Sequence, residues 1–301
     1  MSRFLFVVPP LVGHINPAIA VAEELGRRQH EVAWAGDADV LAALLPASAD
    51  IRPCPVPDPP ERPAELRGFA ALKFLWEQIL VPLAETMTPA VTQAVAQFRP
   101  DALIVDQQAI AGALVAERSG RPWATSATTS SELVDPLAAM PKVQQWLAEL
   151  LDGLRQRAGD PSATTDLRFS PQLVLAFTTR ALVGNDAPVA GEVCFLGPMR
   201  RAVPGDAGIP ASSKPLVFVS LGTVNADTGR RFLNACVAAL RARPQLRAVV
   251  VAPDGVLDDG PGNVLVRPHV SQLAVLAQAS AVVCHGGHNT VCEALSFGLP
   301  L

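Results

Sequence analysis

The stretch Arg3-Phe4-Leu5-Phe6-Val7-Val8-Pro9-Pro10-Leu11-Val12-Gly13-His14-Ile15-Asn16-Pro17 sets the fold. Residues 3–9 are a short apolar run rich in Phe and Val and read as a strand. The run breaks at Pro9-Pro10, and a helix is expected after a loop that carries Gly13 and His14. Asn16 suits the N-cap and Pro17 the first helical position. Glu31-Val32-Ala33-Trp34-Ala35-Gly36 reads as the next strand, so the opening is a βαβ unit of a parallel sheet.

The pattern recurs. A strand near 102–105, a helix near 109–119 and a strand near 122–126 form a second unit. Leu216–Ser220, a helix near 228–242 and Ala248–Val251 form a third, with further strands near 263–266 and 280–284. The fold class is therefore α/β, with two Rossmann-like, doubly wound parallel sheets. The Gly/Pro-rich stretch from Gly197-Pro198 to Lys214-Pro215 separates them. The expected organisation is a first domain at 1–198, a linker at 199–214 and a second domain at 215–301. The second is short for its type, and Pro300-Leu301 reads as the start of another strand, so an incomplete domain is expected. Two longer helical regions, 66–98 and 136–157, carry Phe69, Leu72, Trp76, Leu80, Met140 and Trp146 at helical spacing. Most should pack on the sheet, and a few could line an apolar cleft.

Composition narrows the function. Of 301 residues, 50% are hydrophobic and 17% charged, which excludes disorder. Lys plus Arg is 24 against 28 Asp plus Glu, so the basic footprint of a nucleic-acid binder is absent. No apolar run has the length of a membrane span. The first residues resemble a short leader, but Pro9-Pro10 and Gly13-His14 interrupt it, and an uncleaved N-terminus is expected. Cys54, Cys194, Cys236, Cys284 and Cys292 show no metal spacing and read as reduced thiols of a cytoplasmic protein.

Two places can carry chemistry. Val282-Val283-Cys284-His285-Gly286-Gly287-His288-Asn289-Thr290-Val291-Cys292-Glu293 runs from a buried strand through glycines into a helix N-terminus, a natural anion site. Thr290 and Glu293 also have the spacing of a capping box, and Gly286-Gly287 could be only a tight turn. The G-x-G-x-x-G dinucleotide fingerprint is absent. His14 follows the first strand at its carboxyl end, where ligands of such sheets bind and a general base is useful. Alone it reads more readily as a surface histidine, but Asp106 ends another strand of the same sheet. A carboxylate reaching the imidazole would fix its tautomer. The alternative for Asp106 is an N-cap of the helix near 109.

On Gly13-His14-Ile15-Asn16-Pro17, Val219-Ser220-Leu221-Gly222-Thr223 and His269-Val270-Ser271-Gln272-Leu273 leading to His285–Thr290, the chain resembles the GT-B-fold glycosyltransferases of glycosyltransferase family 1, in particular those of bacterial natural products. The resemblance covers nearly the whole chain and implies an inverting transferase. His14 would be the catalytic base and Asp106 its partner. Ser220 and Thr223 would face the donor's phosphates; His285, Gly287, Asn289 and Thr290 would bind the pyrophosphate, and Glu293 the ribose hydroxyls. His269 stands where many relatives have a tryptophan stacked on the base, and the pair that grips the donor sugar falls past Leu301. The implied donor is a dTDP- or UDP-sugar, the acceptor a hydrophobic small molecule, and no metal or other cofactor is required. Other readings are a non-catalytic or truncated nucleotide-binding relative that assists a partner enzyme, and a sugar-nucleotide epimerase. The sequence leaves the oligomeric state open.

Overall fold

The computed structural model describes residues 1–58, 60–63, 65–129, 132–184, 191–199, 208–222, 229–257 and 262–301. It divides into two compact units, Met1–Gly197 and Pro198–Leu301. The linker expected at 199–214 lies partly outside the described residues.

The first unit is a seven-stranded parallel sheet in the order β3-β2-β1-β4-β5-β6-β7. Its strands are β1 (Arg3–Val7), β2 (Glu31–Gly36), β3 (Asp50–Pro53), β4 (Ala102–Asp106), β5 (Trp123–Ala127), β6 (Val174–Ala176) and β7 (Val193–Phe195). Helices α1 (Val12–Arg27) and α2 (Ala38–Leu44) follow β1 and β2. Between β3 and β4 run α3 (Gly68–Phe74), a π-helical segment (Leu75–Leu80) and α4 (Val81–Phe98). α5 (Ile110–Ser119) joins β4 to β5, and α6 (Pro141–Ala158) and the short α7 (Arg180–Val183) follow β5 and β6. Chain order reverses between β1 and β4, and the carboxyl ends of the strands at such a reversal form a natural ligand crevice.

β1 shows why the sheet is buried on both faces. Leu5 and Val7 point into a core with Met87, Val91 and Leu114, while Phe6 and Val8 point into another with Ile15, Ile19 and Leu41. Phe6 stacks on Trp34 with ring centroids 4.6 Å apart. Each such fully buried side chain is worth about 1.5–3 kcal/mol. Gly112 lets α5 lie close against the sheet: a Cβ there would come within 2.7 Å of Val105 Cγ1 and 3.0 Å of Val7 Cβ.

Four local expectations are corrected. First, α1 begins at Val12, with Leu11 as its extended N-cap, so Gly13 and His14 lie in the first helical turn and Pro17 is inside the helix. Pro17 donates no backbone bond, but burial of Ile15, Ala18 and Ile19 holds the helix through it. Second, the 66–98 stretch is not one regular helix. The Val81 N–H reaches back five residues to the Trp76 carbonyl. Pro82 follows at once, and the wider turn makes room for a ring that would crowd the carbonyl four residues before it. Third, Asp106 does not cap α5. The N-cap is Ala109, and the Asp106 carboxylate accepts from the Gln108 N–H at 2.9 Å. Fourth, the helix expected over 136–157 starts only at Pro141 and leaves Leu137 and Met140 outside it.

The second unit is a four-stranded parallel sheet in the order β10-β9-β8-β11. The strands are β8 (Leu216–Ser220), β9 (Arg247–Val251), β10 (Val264–Arg267) and β11 (Ala281–Cys284). Helices α8 (Arg230–Arg241), α9 (Gln272–Leu276) and α10 (His288–Ser296) accompany them. Leu233 and Val237 of α8 pack on Val219 and Val250, while Val275 and Ala294 pack with Phe218 and Val249 on the opposite face. The order reverses between β8 and β11. α10 starts at His288 with Gly287 as N-cap, which places Thr290 inside the helix. The capping box that Thr290 and Glu293 could have formed is therefore not made.

Candidate active site

The first unit gathers its reactive groups at the reversal. Val7 of β1 pairs with Val105 of β4, and Asp106 pairs with Ser126 of β5. The residues just past Val7, at Asp106 and just past Ala127 thus share one rim. His14, in the first turn of α1, brings its Nδ1 to 2.9 Å from Asp106 Oδ1. Thr128 Oγ1 stands 2.7 Å from the same nitrogen and donates to Asp106 Oδ2 at 2.9 Å. The Asp106 side chain is completely buried, whereas 15% of the His14 side chain is exposed. The carboxylate therefore holds its charge out of water on three donors, and the imidazole keeps one edge toward solvent.

Burial alone would lower the His14 titration. The charge and hydrogen bond of Asp106, with the more distant charge of Glu132, outweigh it and hold the imidazole above its ordinary 6.5. With Nδ1–H directed at the carboxylate, Nε2 carries the lone pair and can take a proton. Burial raises Glu132 above the usual carboxylate range, against the pull of Arg168 and a hydrogen bond from Gln107. Among the described residues its Oε2 is buried with no hydrogen-bond partner.

In the first unit, Thr128 is the residue that sequence reasoning misses. The signal was its place just past the end of a third parallel strand, on the rim already marked by His14 and Asp106. Of the apolar residues expected near a cleft, Trp76 and Leu80 are core, while Phe69 and Met140 remain 47% and 45% exposed. The Phe69 ring meets Trp146 edge-on at 5.3 Å, and the Trp146 indole donates to Glu77. A cavity of about 360 Å³ lies beside α6, lined by Leu137, Leu147, Leu151, Arg155 and Arg168 among others, and includes none of the rim residues.

In the second unit, Ser220 and Cys284 pair at the ends of β8 and β11. Ser220 is buried, and its Oγ accepts from the Gly222 N–H at 3.3 Å. His285 follows β11 and is exposed. Gly287, Asn289 and Thr290 form the N-cap and first turn of α10, with no side-chain cap from Gly287. One turn on, Glu293 accepts from Gln272 Nε2 at 2.6 Å, and the same amide lies 3.4 Å from Thr290 Oγ1. Gln272, the first residue of α9, belongs to a motif whose sequence shows no such role; the structure makes it an anchor of the Glu293 carboxylate. His269 is exposed beyond β10, and Thr223 lies outside the described residues. The arrangement offers glycines, a helix N-terminus, an imidazole and a fixed carboxylate along one strand-to-helix passage, which suits a phosphate followed by a hydroxylated ring.

Among the described residues, no group of three His, Cys, Asp or Glu is placed to hold a metal ion, and no helix is long and apolar enough to cross a membrane. Residues 12–134 match the glycosyltransferase family 28 N-terminal domain. The whole chain aligns with 70% of the demethyllactenocin mycarosyltransferase of Streptomyces fradiae at 30% identity. Among solved structures, the glycosyltransferase of kitacinnamycin is 27% identical, with a TM-score of 0.75 over 99% of this chain and 79% of its own. A spinosyn rhamnosyltransferase solved with thymidine diphosphate is 24% identical and has the same fold, with a TM-score of 0.71 over the whole chain and 79% of its own.

Proposed function

Since the chain belongs to the GT-B-fold, nucleotide-sugar-dependent glycosyltransferases, we propose that it is an inverting enzyme that moves a sugar from a dTDP- or UDP-sugar to a hydroxyl of a hydrophobic natural product. The observation that carries the reading is the 2.9 Å bond between His14 Nδ1 and Asp106 Oδ1 on the rim of the first sheet.

His14 Nε2 removes the acceptor hydroxyl's proton as that oxygen bonds to the anomeric carbon and the carbon–oxygen bond to the diphosphate breaks. Asp106 holds the tautomer and stabilises the imidazolium, and Thr128 holds Asp106. The charge growing on the nucleoside diphosphate is met by His285 and by the helix terminus at Asn289 and Thr290, with no metal ion needed. Ser220 faces the phosphates, Glu293 takes the ribose hydroxyls, and His269 lies against the base. Residues 1–198 hold the acceptor and 215–301 the donor. Exposed Phe69 and Met140 and the net charge of −4 support an apolar, uncharged acceptor rather than nucleic acid. The five cysteines, none of them in a disulfide, support work in the cytoplasm.

The test is incubation with dTDP- and UDP-sugars and a panel of apolar polyphenol, macrolide and carotenoid alcohols, read by mass spectrometry and release of nucleoside diphosphate. Transfer with inversion at the anomeric carbon is expected. Nucleotide release that never depends on an acceptor would overturn the reading.

A further inference from the structure

We infer that Gly287 is a positioning residue: by lacking a side chain it leaves the space in which the His285 imidazole stands. The inference rests on the proposed phosphate role of His285 and concerns what holds that ring in place.

A Cβ built on Gly287 would lie 2.5 Å from both Cε1 and Nε2 of His285. A Cβ on Gly222, after the neighbouring strand, would lie 2.8 Å from Cε1 and 3.4 Å from Nε2. The Cε1–Nε2 edge of the ring therefore sits between two glycine α-carbons at the ends of β11 and β8. Real Cβ atoms essentially never approach a neighbour this closely, so neither position tolerates a side chain while the ring stays.

The two glycines are required for different reasons. Gly222 has φ +70°, a left-handed conformation that already favours glycine. Gly287 has φ −59° and ψ 133°, which any residue adopts. It is also the N-cap of α10, where Ser, Asp or Asn would supply the side-chain cap that is missing. Backbone conformation and capping thus give no reason for glycine at 287. The ring of His285 does.

The pinned edge carries Nε2, one of the ring's two nitrogens able to donate to a phosphate oxygen. Hydrogen bonds hold over only a few tenths of an ångström, so a ring pushed off this place loses the bond. His285 is exposed and ends a rotatable side chain, so it can swing outward at little cost to folding. Alanine at 287 should therefore spare stability and damage ligand binding.

Four proteins test this: the parent, Gly287→Ala, His285→Ala and the double variant, each titrated with UDP and dTDP and melted without ligand. Gly287→Ala and His285→Ala should each weaken nucleoside diphosphate about tenfold. In the His285→Ala background, Gly287→Ala should cost less than twofold, and its Tm alone should stay within about 2 °C of the parent. Parental affinity in Gly287→Ala overturns the inference. So does the same tenfold loss in both backgrounds, which would mean that the new methyl meets the ligand directly. If His285→Ala itself binds as the parent does, the phosphate role of His285 falls, and the inference falls with it.

Discussion

His14 and Asp106 are 92 positions apart in the chain, yet His14 Nδ1 and Asp106 Oδ1 lie 2.9 Å from each other. The register of β1 against β4 brings them together, so the pair depends on the sheet order and not on a local loop. Removing the imidazole should leave the sheet intact. His14→Ala is expected to lower kcat by about 10²–10⁴ while the affinity for nucleoside diphosphate changes less than twofold. Steady-state kinetics beside a thermal-shift titration checks both halves; a kcat within threefold of the parent would remove His14 from the base role.

The pH profile should bear the mark of Asp106. His14 works as a base only when neutral, and its pKa is held above 6.5 mainly because Asp106 outweighs burial. The acid limb of kcat/KM is therefore expected above pH 6.5. In Asp106→Asn the attraction is gone and burial remains, so the limb should move down as the rate falls. The same shift is a stability statement. A folded-state pKa above the unfolded one adds stability that is full below the unfolded pKa of 6.5 and is lost as pH rises through the folded value. Urea titrations across this window should show stability falling with pH in the parent and a flatter dependence in Asp106→Asn.

Thr128→Val keeps the shape and removes the hydroxyl that binds Asp106 Oδ2. A buried carboxylate oxygen then loses a donor, a cost of about 1–3 kcal/mol. Lower stability by urea titration and a kcat reduced about tenfold are expected. Unchanged values for both would show that the hydroxyl is dispensable.

Glu293→Gln separates a ribose ligand from a helix cap. Thr290 is inside α10 and makes no capping box, so a glutamine at 293 has no cap to preserve. Loss of the charge that Gln272 holds should weaken nucleoside diphosphate about tenfold and leave inorganic pyrophosphate unaffected. Calorimetric titration with the two ligands is the measurement, and equal losses for both would point to the phosphates instead.

Gly112→Ala should destabilise the first unit by about 1–3 kcal/mol, because the new methyl would overlap Val105 and Val7 in a filled core. Calorimetric melting should show a lower Tm. A parental Tm would mean that α5 can back away from the sheet.

The sequence spoke most clearly where the pattern was long and apolar. Leu216–Ser220 and Arg3–Val7 stand out as strands because they are buried on both faces. Val174–Ala176 and Val193–Phe195 did not, since three residues cannot show a period. Local rules misled where burial overrode them. Asn16 and Pro17 have the chemistry of a helix start, yet packing of Ile15 and Ala18 carries α1 back to Val12. Thr290 and Glu293 have capping-box spacing, yet the helix starts two residues earlier at His288. His14 and Asp106 were legible as members of one rim, because strand ends in a parallel sheet share an edge. The hydroxyl of Thr128 and the amide of Gln272 were not, because each acts on a neighbour that only the folded chain supplies.

The order β3-β2-β1-β4 makes the chain leave the rim at His14 and return to it at Asp106. Everything between, from β2 through the π-helical turn to α4, is an excursion whose two ends are fixed by β1 and β4. The excursion is part core and part surface: β2 and α4 pack on β1, whereas Phe69 stays exposed. Change confined to the exposed stretch around Phe69 is expected to leave the His14–Asp106 bond in place. Surface character on one side of the domain and the geometry of the pair on its rim can therefore drift independently.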